Sequence, residues 1–482
     1  MKNSMNKGFI TYLMLFLGIV LGVVMVVGLI MYFSPGTDVM GYVFYTQNVK
    51  SVIQSVDGAD LGYQTIILDE EGEEIPAEAD DITPINFSNI NSIVINTNGM
   101  NVHFIHGPED RIDVIRNVNG FAKVETLTDF TVTKNYNPIT KVLTITTIDN
   151  YPDLSIIKDC SIEVYIANQT PNLAAVVTTN SALVNVAVNA FDIQTTKDLT
   201  FRSLDFTTQT GNIKVFENAT VTNFVDLKVT NANITVSAMG ATETNKMNAV
   251  TLEVAENGTV FADNIYATST TFNGETAFIT ADNIYSNVFF NVVRGSIKAE
   301  NVYGDFIDVE GVVKNSTIEL KEVSGEFLIP DAEKTNIMLD KVSDRISITT
   351  TTGTVFIKQA TDFIDITTTS GSVTIAISED NTSQLNITTV SGAIDLTLNS
   401  VVSAKNVTSQ TGTINLLYKT GLVFKLVATT TATINLVNED LTFANTTVTG
   451  YPTTADFEFL TDNVVTLTTG ANITIDSLVN II

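Results

Sequence analysis

The chain has 482 residues, with 25 Lys and Arg against 53 Asp and Glu, so its formal net charge is −28. This excess of acid leaves little room for a nucleic-acid binder, because phosphate recognition needs a basic footprint, and it opposes docking on anionic lipid headgroups. Cys160 is the single cysteine, and His103 and His106 are the two histidines. An internal disulfide and a thiolate zinc cluster are therefore excluded, and two histidines at these positions of a strand would point to opposite faces.

The N-terminal region carries an apolar run at residues 9–33, which are 25 consecutive uncharged residues. A helix of that length spans roughly 37 Å, more than the ~30 Å hydrocarbon core, so the run predicts one transmembrane signal anchor. A cleaved signal peptide is the competing interpretation, although no small-x-small cleavage site follows. Lys2 and Lys7 precede the run and Asp38 is the first charge after it, so residues 1–8 are predicted to be cytoplasmic. We therefore expect a single-pass protein of the plasma membrane with an extracellular C-terminal ectodomain.

The juxtamembrane region, residues 34–84, is mixed in character. Residues 48–56 have the spacing of a short amphipathic helix. Residues 69–81 are rich in Asp and Glu without the alternating spacing of a calcium loop, so they are interpreted as a solvated acidic linker. From residue 85 onward, short β-branched runs with period-two alternation predict strands, and residues 85–200 are assigned to a first, irregular part of the β-domain.

The strongest feature is a short motif that recurs along the chain. Ala262-Asp263-Asn264-Ile265-Tyr266 returns as Ala281-Asp282-Asn283-Ile284-Tyr285 and again as Ala299-Glu300-Asn301-Val302-Tyr303. Related copies begin at Leu320 and Leu339. The interval between copies is about 20 residues, and repeats of this length are typical of stacked architectures.

A second marker is a glycine between two short strand patterns. It occurs at Gly353, Gly371, Gly392 and Gly412, and we attribute it to a tight turn whose backbone shape side chains resist. The spacing between successive glycines is close to the spacing between copies of the Ala-Asp-Asn-Ile-Tyr motif. The two markers predict an all-β fold, a single-stranded parallel β-solenoid with coils of about 20 residues behind one N-terminal transmembrane helix. Regular repeats are assigned to residues 201–450, and residues 451–482 to C-terminal coils or a cap.

The glycine-turn repeats at 369–373 and 390–394 resemble the bacterial putative-adhesin family of β-strand-repeat envelope proteins, and the strand patterns around Ile93–Ile95, Val102–Phe104, Ile112–Ile115 and Val142–Ile145 are similar to the opening of that family. The resemblance covers roughly residues 85–475. It implies an envelope-facing β-solenoid, often behind a single membrane helix, and it carries over no catalytic residue. The chain departs from the pattern between Gly211 and Gly295, where the glycine turn is less regular.

Candidate site residues come from the Ala-Asp-Asn-Ile-Tyr motif. Asp263, Asp282 and Glu300 would stack on one ladder, where three acids at ~5 Å spacing repel one another or share a cation, so they are calcium candidates beside the interpretation as solvated turn residues. The tyrosines at 266, 285 and 303 would stack as well, either as a sugar-binding ladder or as a packing column between coils. No catalytic residue and no cofactor are predicted.

We therefore predict a non-enzymatic, membrane-anchored cell-surface protein that presents an acidic β-solenoid rod for adhesin-like binding or envelope organisation. Its partners would be the membrane, through one helix, and a surface protein or glycan. The alternative is a bactofilin-like scaffold that self-associates through the solenoid ends, because residues 478–482 carry no charged side chain. A polysaccharide-active β-helix enzyme is a third hypothesis, which the missing catalytic cluster disfavours. A sensory ectodomain is a fourth, although the short cytoplasmic part could not signal alone.

Overall fold

The computed structural model describes part of the chain in detail. The described residues are 16–27, 29, 42–56, 64–66, 84–98, 100–123, 130–148, 154–167, 173–180, 193–195, 199–215, 220–239, 246–309, 313–378, 384–400, 405–419, 425–430, 432–437, 445–447, 453–457 and 464–478. Residues 16–27 and 29 are helical, and the remainder of the predicted span 9–33 lies outside the described residues. Among the described helices, none combines the length and the apolar character that crossing a membrane requires. The acidic linker at 69–81 also lies outside the described residues.

The chain divides into two compact units, and most of the described residues in both are β-strand. The first unit comprises Met1–Asn168 and Val176–Gln194, and the second comprises Gln169–Ala175 and Thr195–Ile482. The all-β prediction is confirmed at this level. A short 3-10 helix, Phe87–Asn89, is the one helical turn among the described residues after residue 29.

The first unit is built from long strands that pair in both directions. Its strands are β1 (Tyr42–Ile53), β2 (Gln64–Ile66), β3 (Ser92–Asn98), β4 (Asn101–His106), β5 (Arg111–Lys123), β6 (Thr131–Asn137), β7 (Val142–Ile148) and β8 (Leu154–Ile166), followed by β9 (Ala174–Asn180) and β10 (Ile193–Thr195), which carry residues of both units. β3 pairs with β7 and β4 with β8 in parallel. By contrast, β1–β5, β5–β8 and β6–β7 are antiparallel.

Two sequence predictions are wrong in this unit. Pairing is not purely parallel, because the long strands β1, β5 and β8, which have 12, 13 and 13 residues, return by antiparallel pairing. Residues 48–53 belong to β1 and are not helical. The side chains at these positions can alternate across a sheet, and cross-strand pairing with β5 satisfies the backbone groups that a helix would have satisfied internally.

The described residues of the second unit form 22 strands along the repeats. They are β11 (Thr200–Thr208), β12 (Ile213–Val215), β13 (Thr220–Val229), β14 (Asn233–Met239), β15 (Met247–Asp308), β16 (Val313–Lys314), β17 (Thr317–Glu333), β18 (Asn336–Val342), β19 (Ile346–Thr350), β20 (Thr354–Ala360), β21 (Ile364–Thr368), β22 (Ser372–Ile377), β23 (Leu385–Thr389), β24 (Ile394–Leu398), β25 (Lys405–Ser409), β26 (Ile414–Lys419), β27 (Lys425–Thr430), β28 (Ile434–Leu436), β29 (Asn445–Thr447), β30 (Thr453–Phe457), β31 (Val464–Thr469) and β32 (Ile473–Leu478).

From β11 to β26, pairing joins each repeat to the next in parallel. The ladder β18–β20–β22–β24–β26 aligns Val355 with Val373, Ile394 and Ile414 in turn, and β19–β21–β23–β25 forms a second such ladder. We use the term rung for the strand residues that one repeat contributes to these ladders. The aligned aliphatic side chains are buried, so the core of this unit consists of columns of Ile, Val and Leu between the ladders. The predicted glycine and Ala-Asp-Asn-Ile-Tyr markers thus mark equivalent positions of successive rungs.

β15 is too long to be one straight strand. Its 62 extended residues would reach about 200 Å at ~3.3 Å per residue. Yet the rings of Tyr266 and Tyr285, which belong to successive copies of the motif, lie with their centroids 4.9 Å apart. The backbone therefore stays extended while it turns corners and returns to the next rung.

The C-terminal rungs do not follow chain order. β31 pairs in parallel with both β25 and β27, and β32 pairs with both β26 and β28. The last strands of the chain therefore lie between two rungs that precede them in sequence. On its other side β27 pairs with β30 in the antiparallel direction, and β30 pairs with β29. Of the predicted self-associating end at 478–482, Leu478 ends β32, which pairs with β26 and β28, and residues 479–482 lie outside the described residues.

Candidate functional site

The copies of the Ala-Asp-Asn-Ile-Tyr motif occupy equivalent positions on three successive rungs. Its first and fourth positions are buried, as at Ala262 and Ile265, and its polar and aromatic positions face outward. Because Asn264, Asn283 and Asn301 bond to one another in sequence, the residue before each of them also occupies a common outward column.

The tyrosines of this motif form a stacked column. The ring centroids of Tyr266 and Tyr285 are 4.9 Å apart with planes inclined by 8°, and those of Tyr285 and Tyr303 are 5.1 Å apart with planes inclined by 21°. Each ring face between neighbours is therefore covered by the next ring, and all three side chains are half-buried. This geometry favours the packing-column interpretation, because a sugar ring needs an open aromatic face.

The asparagines of the motif form hydrogen bonds between successive rungs. Asn283 Nδ2 donates to Asn264 Oδ1 at 2.9 Å, and Asn301 Nδ2 donates to Asn283 Oδ1 at 2.8 Å. Amide groups at the rung spacing of a parallel sheet can bond along the stack in this way. Glu322 continues the same column opposite Asn301 and accepts a hydrogen bond from Lys341 Nζ at 2.8 Å.

The calcium candidates occupy one outward column of successive rungs. Asp263, Asp282 and Glu300 are exposed at successive rungs, and Glu300 forms an ion pair with Lys321 on the following rung. Further along this column Asp340 lies 3.9 Å from Lys358. Within the described ranges, no group of three or more His, Cys, Asp or Glu side chains is arranged to hold a metal ion.

The glycine turn holds a buried hydroxyl that was not identified in the sequence. Thr389, shortly before Gly392, is fully buried, and its Oγ1 accepts from Gly392 N at 2.7 Å and lies 3.3 Å from Gly392 O. Ser409 holds Gly412 in the same way, with Gly412 N donating to Ser409 Oγ at 2.9 Å. The signal was available, because a Ser or Thr occurs at the third position before Gly211, Gly353, Gly371, Gly392 and Gly412.

The reason for these glycines differs from the predicted one. At Gly353 φ is +124°, a backbone shape that side chains resist, as expected. At Gly371, Gly392 and Gly412 the backbone lies outside that region, and a Cβ would instead fall 1.8–2.1 Å from the carbonyl oxygen of the glycine one rung earlier. The glycine column is therefore required by close approach between rungs.

The first unit has a charged network that links β1, β5 and β8. Asp113 is 1% exposed, and it lies 3.5 Å from Lys50 Nζ and 3.2 Å from Arg111 Nε. The Arg111 guanidinium is 4.2 Å from the centre of the Tyr165 ring, and Tyr165 OH donates to Glu163 at 2.6 Å. That hydrogen bond, together with burial, raises the pKa of Tyr165 above its ordinary value. These contacts pair opposite charges and hold the two strands together.

The two histidines lie at different positions of β4. His103 faces outward in β4, opposite Glu163 of β8, and His106 is the exposed last residue of β4. Cys160 is buried. Neither histidine belongs to a group that could hold a metal among the described residues.

A second acidic position lies at the start of the repeats. Asp205 of β11 and Asp226 of β13 are opposite each other in the parallel ladder. Burial raises the pKa of Asp205, and burial followed by the neighbouring Asp205 charge raises the pKa of Asp226. On the next outward column Lys228 Nζ lies 2.5 Å from Glu253. Two adjacent carboxylates on neighbouring rungs cost the folded state stability when both are ionised.

Comparison with known proteins gives few matches. No family model matches the chain, and no curated protein matches it. A crystal structure of a putative adhesin from Parabacteroides merdae is similar over 66% of this chain and 92% of its own, with 10% identity and a TM-score of 0.23. A putative cell adhesion protein from Clostridium sporogenes is similar over 82% of this chain and 96% of its own, with 7% identity and a TM-score of 0.12. Likenesses this distant carry no argument about the chain's activity, which must be inferred from its own residues.

Proposed function

We propose that the chain is a non-enzymatic protein of the cell surface, anchored in the plasma membrane through residues 9–33. In this proposal the second unit is a β-solenoid whose acidic outward side is displayed for adhesion or for organisation of the envelope. The two kinds of role share one physical requirement, a stiff framework that repeats similar surface positions.

The observation that carries the proposal is the parallel register of the second unit. From β11 to β26, each repeat pairs with the next at equivalent positions, as in the alignment of Thr354 with Ser372 and of Thr374 with Asp395. Outward side chains at these rungs bond mainly to the same column on the next rung, as Asn406 does to Asn386 at 3.3 Å. A surface of this kind supports a structural or presenting role, because its polar groups stabilise the stack rather than converge on a reacting centre.

The membrane anchor rests on the N-terminal residues. In the helical residues 16–27 and 29, large apolar side chains such as Phe16 (65%) and Val24 (64%) are exposed, and nothing in the described chain covers them. Exposed apolar surface of this extent is unfavourable in water and favourable in a bilayer. The positive charges of Lys2 and Lys7 orient the N-terminus toward the cytoplasm.

Surface display can be tested by labelling a single thiol on intact cells. Cys160 is 2% exposed, so the natural chain should react poorly with a membrane-impermeant maleimide. Ser391→Cys places a thiol in an exposed turn of the repeats, and this variant should be labelled without permeabilisation. Lys7→Cys is the matched control and should be labelled after permeabilisation alone. Labelling of the Ser391→Cys variant only in permeabilised cells would refute the proposed topology.

A self-associating scaffold is the second candidate, and one edge favours it. β28 pairs with β32 on one side, and no described strand pairs with its other side; Val437, directly after β28, is 58% exposed. An open parallel edge is a site for pairing with another chain. Sedimentation velocity of residues 35–482 separates the two candidates. A monomer at all concentrations supports display, whereas growth with concentration that is lost in a Val437→Lys variant supports the scaffold.

A further inference from the structure

A shallow groove of about 340 Å³ lies on the outward side of three successive rungs of the second unit. The residues that line it and matter here are Glu253, Ala255, Asn273, Gly274, Glu275 and Asn291. The buried rings of Phe272 and Phe290 stack with centroids 5.1 Å apart beneath it, which sets Asn273 and Asn291 on neighbouring rungs. Its volume is at the lower end of the ~300–1,000 Å³ typical of small-molecule sites.

The amides in this groove differ from the other asparagines of the repeats. Asn264, Asn283 and Asn301 use their amide groups to bond to each other along the stack. Within the described part of the chain, no side-chain hydrogen bond or ion pair involves Asn273 or Asn291. Each therefore offers one donor group and one acceptor group to whatever occupies the groove.

The charge of the groove limits the class of ligand that it can bind. Glu253 is paired with Lys228 at 2.5 Å, and Glu275 is exposed without an ion-pair partner among the described residues, so the groove has an excess of negative charge. A phosphate, sulfate or carboxylate ligand would be repelled. Its two carboxylates belong to no group that could hold a metal within the described ranges. A neutral ligand rich in hydroxyl groups fits best, because hydroxyls donate to carboxylates and exchange hydrogen bonds with amides.

The apolar part of the groove suits the C–H faces of such a ligand. Ala255 and Val293 contribute small aliphatic surfaces, and Gly274 contributes none. Phe289, on the same outward side as Asn291, packs edge to face with Phe306 at 5.2 Å and 74°. We propose that this groove binds a neutral sugar of one or two rings, with Asn273, Asn291 and Glu275 as its hydrogen-bonding partners. The inference rests on the proposed display function only in supposing that the sugar belongs to a glycan of an opposing surface.

Saturation-transfer NMR on the full chain tests this inference. The chain is held in a detergent without a sugar headgroup, and the probes are glucose, galactose, mannose, N-acetylglucosamine, lactose, maltose and cellobiose at millimolar concentration. At least one probe should receive saturation, and its affinity should fall at least tenfold in Asn273→Ala and Asn291→Ala. Ala255→Phe, which fills the groove and removes no polar group, should abolish the signal. Asp282→Asn, an exposed change outside the groove, should leave it unchanged.

Three outcomes would overturn the assignment. These are no saturation of any probe, saturation that persists in the Ala255→Phe variant, and binding that requires Ca²⁺ and is removed by EDTA, which would assign the groove to a cation. Circular dichroism confirms that each variant is folded before it is scored. Failure here is distinguishable from failure of the proposed function, because the thiol-labelling result at Ser391→Cys does not depend on sugar binding.

Discussion

Gly392→Ala tests the packing of the repeats most directly. The new Cβ would lie 1.8 Å from the carbonyl oxygen of Gly371, against 3.4 Å or more in an ordinary contact, so the two rungs would have to move apart. The backbone at Gly392 is not in the left-handed region, so this clash is the whole cost. Overpacking of a buried site costs about 1–3 kcal/mol, and because the Cβ has no rotatable bond and meets a backbone oxygen we expect about 3 kcal/mol. At ~2 °C per kcal/mol for a unit of this size, Tm should fall by about 6 °C.

Thermal unfolding followed by circular dichroism measures this change, and hydrogen exchange of peptides from 385–398 shows whether the loss is local. Ser391→Ala is the matched control. Ser391 is exposed and its Oγ makes one long bond, 3.4 Å, to Thr369 O, so its loss should change stability by less than about 0.5 kcal/mol. If Gly392→Ala melts at the temperature of the natural chain while exchange at 385–398 is unchanged, the rungs are not packed this closely and the account of the glycine column is refuted.

Three further predictions concern buried and stacked polar groups. Thr389→Val removes a buried hydroxyl that holds Gly392 N and should lower the free energy of unfolding by about 1–3 kcal/mol in urea titration, whereas Thr389→Ser should restore most of it. Asn283→Ala removes two side-chain hydrogen bonds and should lower the free energy of unfolding by about 1 kcal/mol. Asn273→Ala removes no such bond and should leave the free energy of unfolding almost unchanged in the same titration. Burial raises the pKa of Asp205, so the folded state holds the proton more tightly and stability falls as pH rises above the ordinary value of 3.8. Asp205→Asn should therefore raise Tm at neutral pH and not at a pH below that ordinary value, and an equal gain at both pH values would contradict the burial effect.

Much of the second unit could be predicted because its information is local and repeated. The intervals between Gly371, Gly392 and Gly412 reappear as the offsets between paired residues, such as Thr374 with Asp395 and Asp395 with Asn415. The stacking of Tyr266 on Tyr285 follows from the same periodicity. A side chain that recurs at one coil position must meet its copy on the next rung, so spacing alone sets the register.

The order of the last rungs and the pairing of the first unit could not be predicted in this way. β25 pairs with β31, although β27 is the strand of the next repeat in the chain. β27 and β31 have the same alternation of apolar and polar residues. Local pattern does not distinguish between them. In the first unit, β1 and β5 pair over the whole length of β1 without a repeat to signal it. The groove around Asn273 was also missed, since the absence of side-chain hydrogen bonds at its asparagines is visible only in the structure.

The position of the final rung has a consequence for the order of assembly. Residues 425–437 leave the ribosome before residues 464–478, yet the later segment lies between the earlier one and residues 405–419. The chain cannot therefore reach its final state by adding coils one after another as they are synthesised. In one order of assembly, residues 425–437 stay unpaired until residues 464–478 are in place. In the other, they first pair with residues 405–419 and must separate from them before residues 464–478 can insert. A nascent or truncated chain that ends before residue 464 would consequently carry an unfilled slot that a second copy's last segment is shaped to enter.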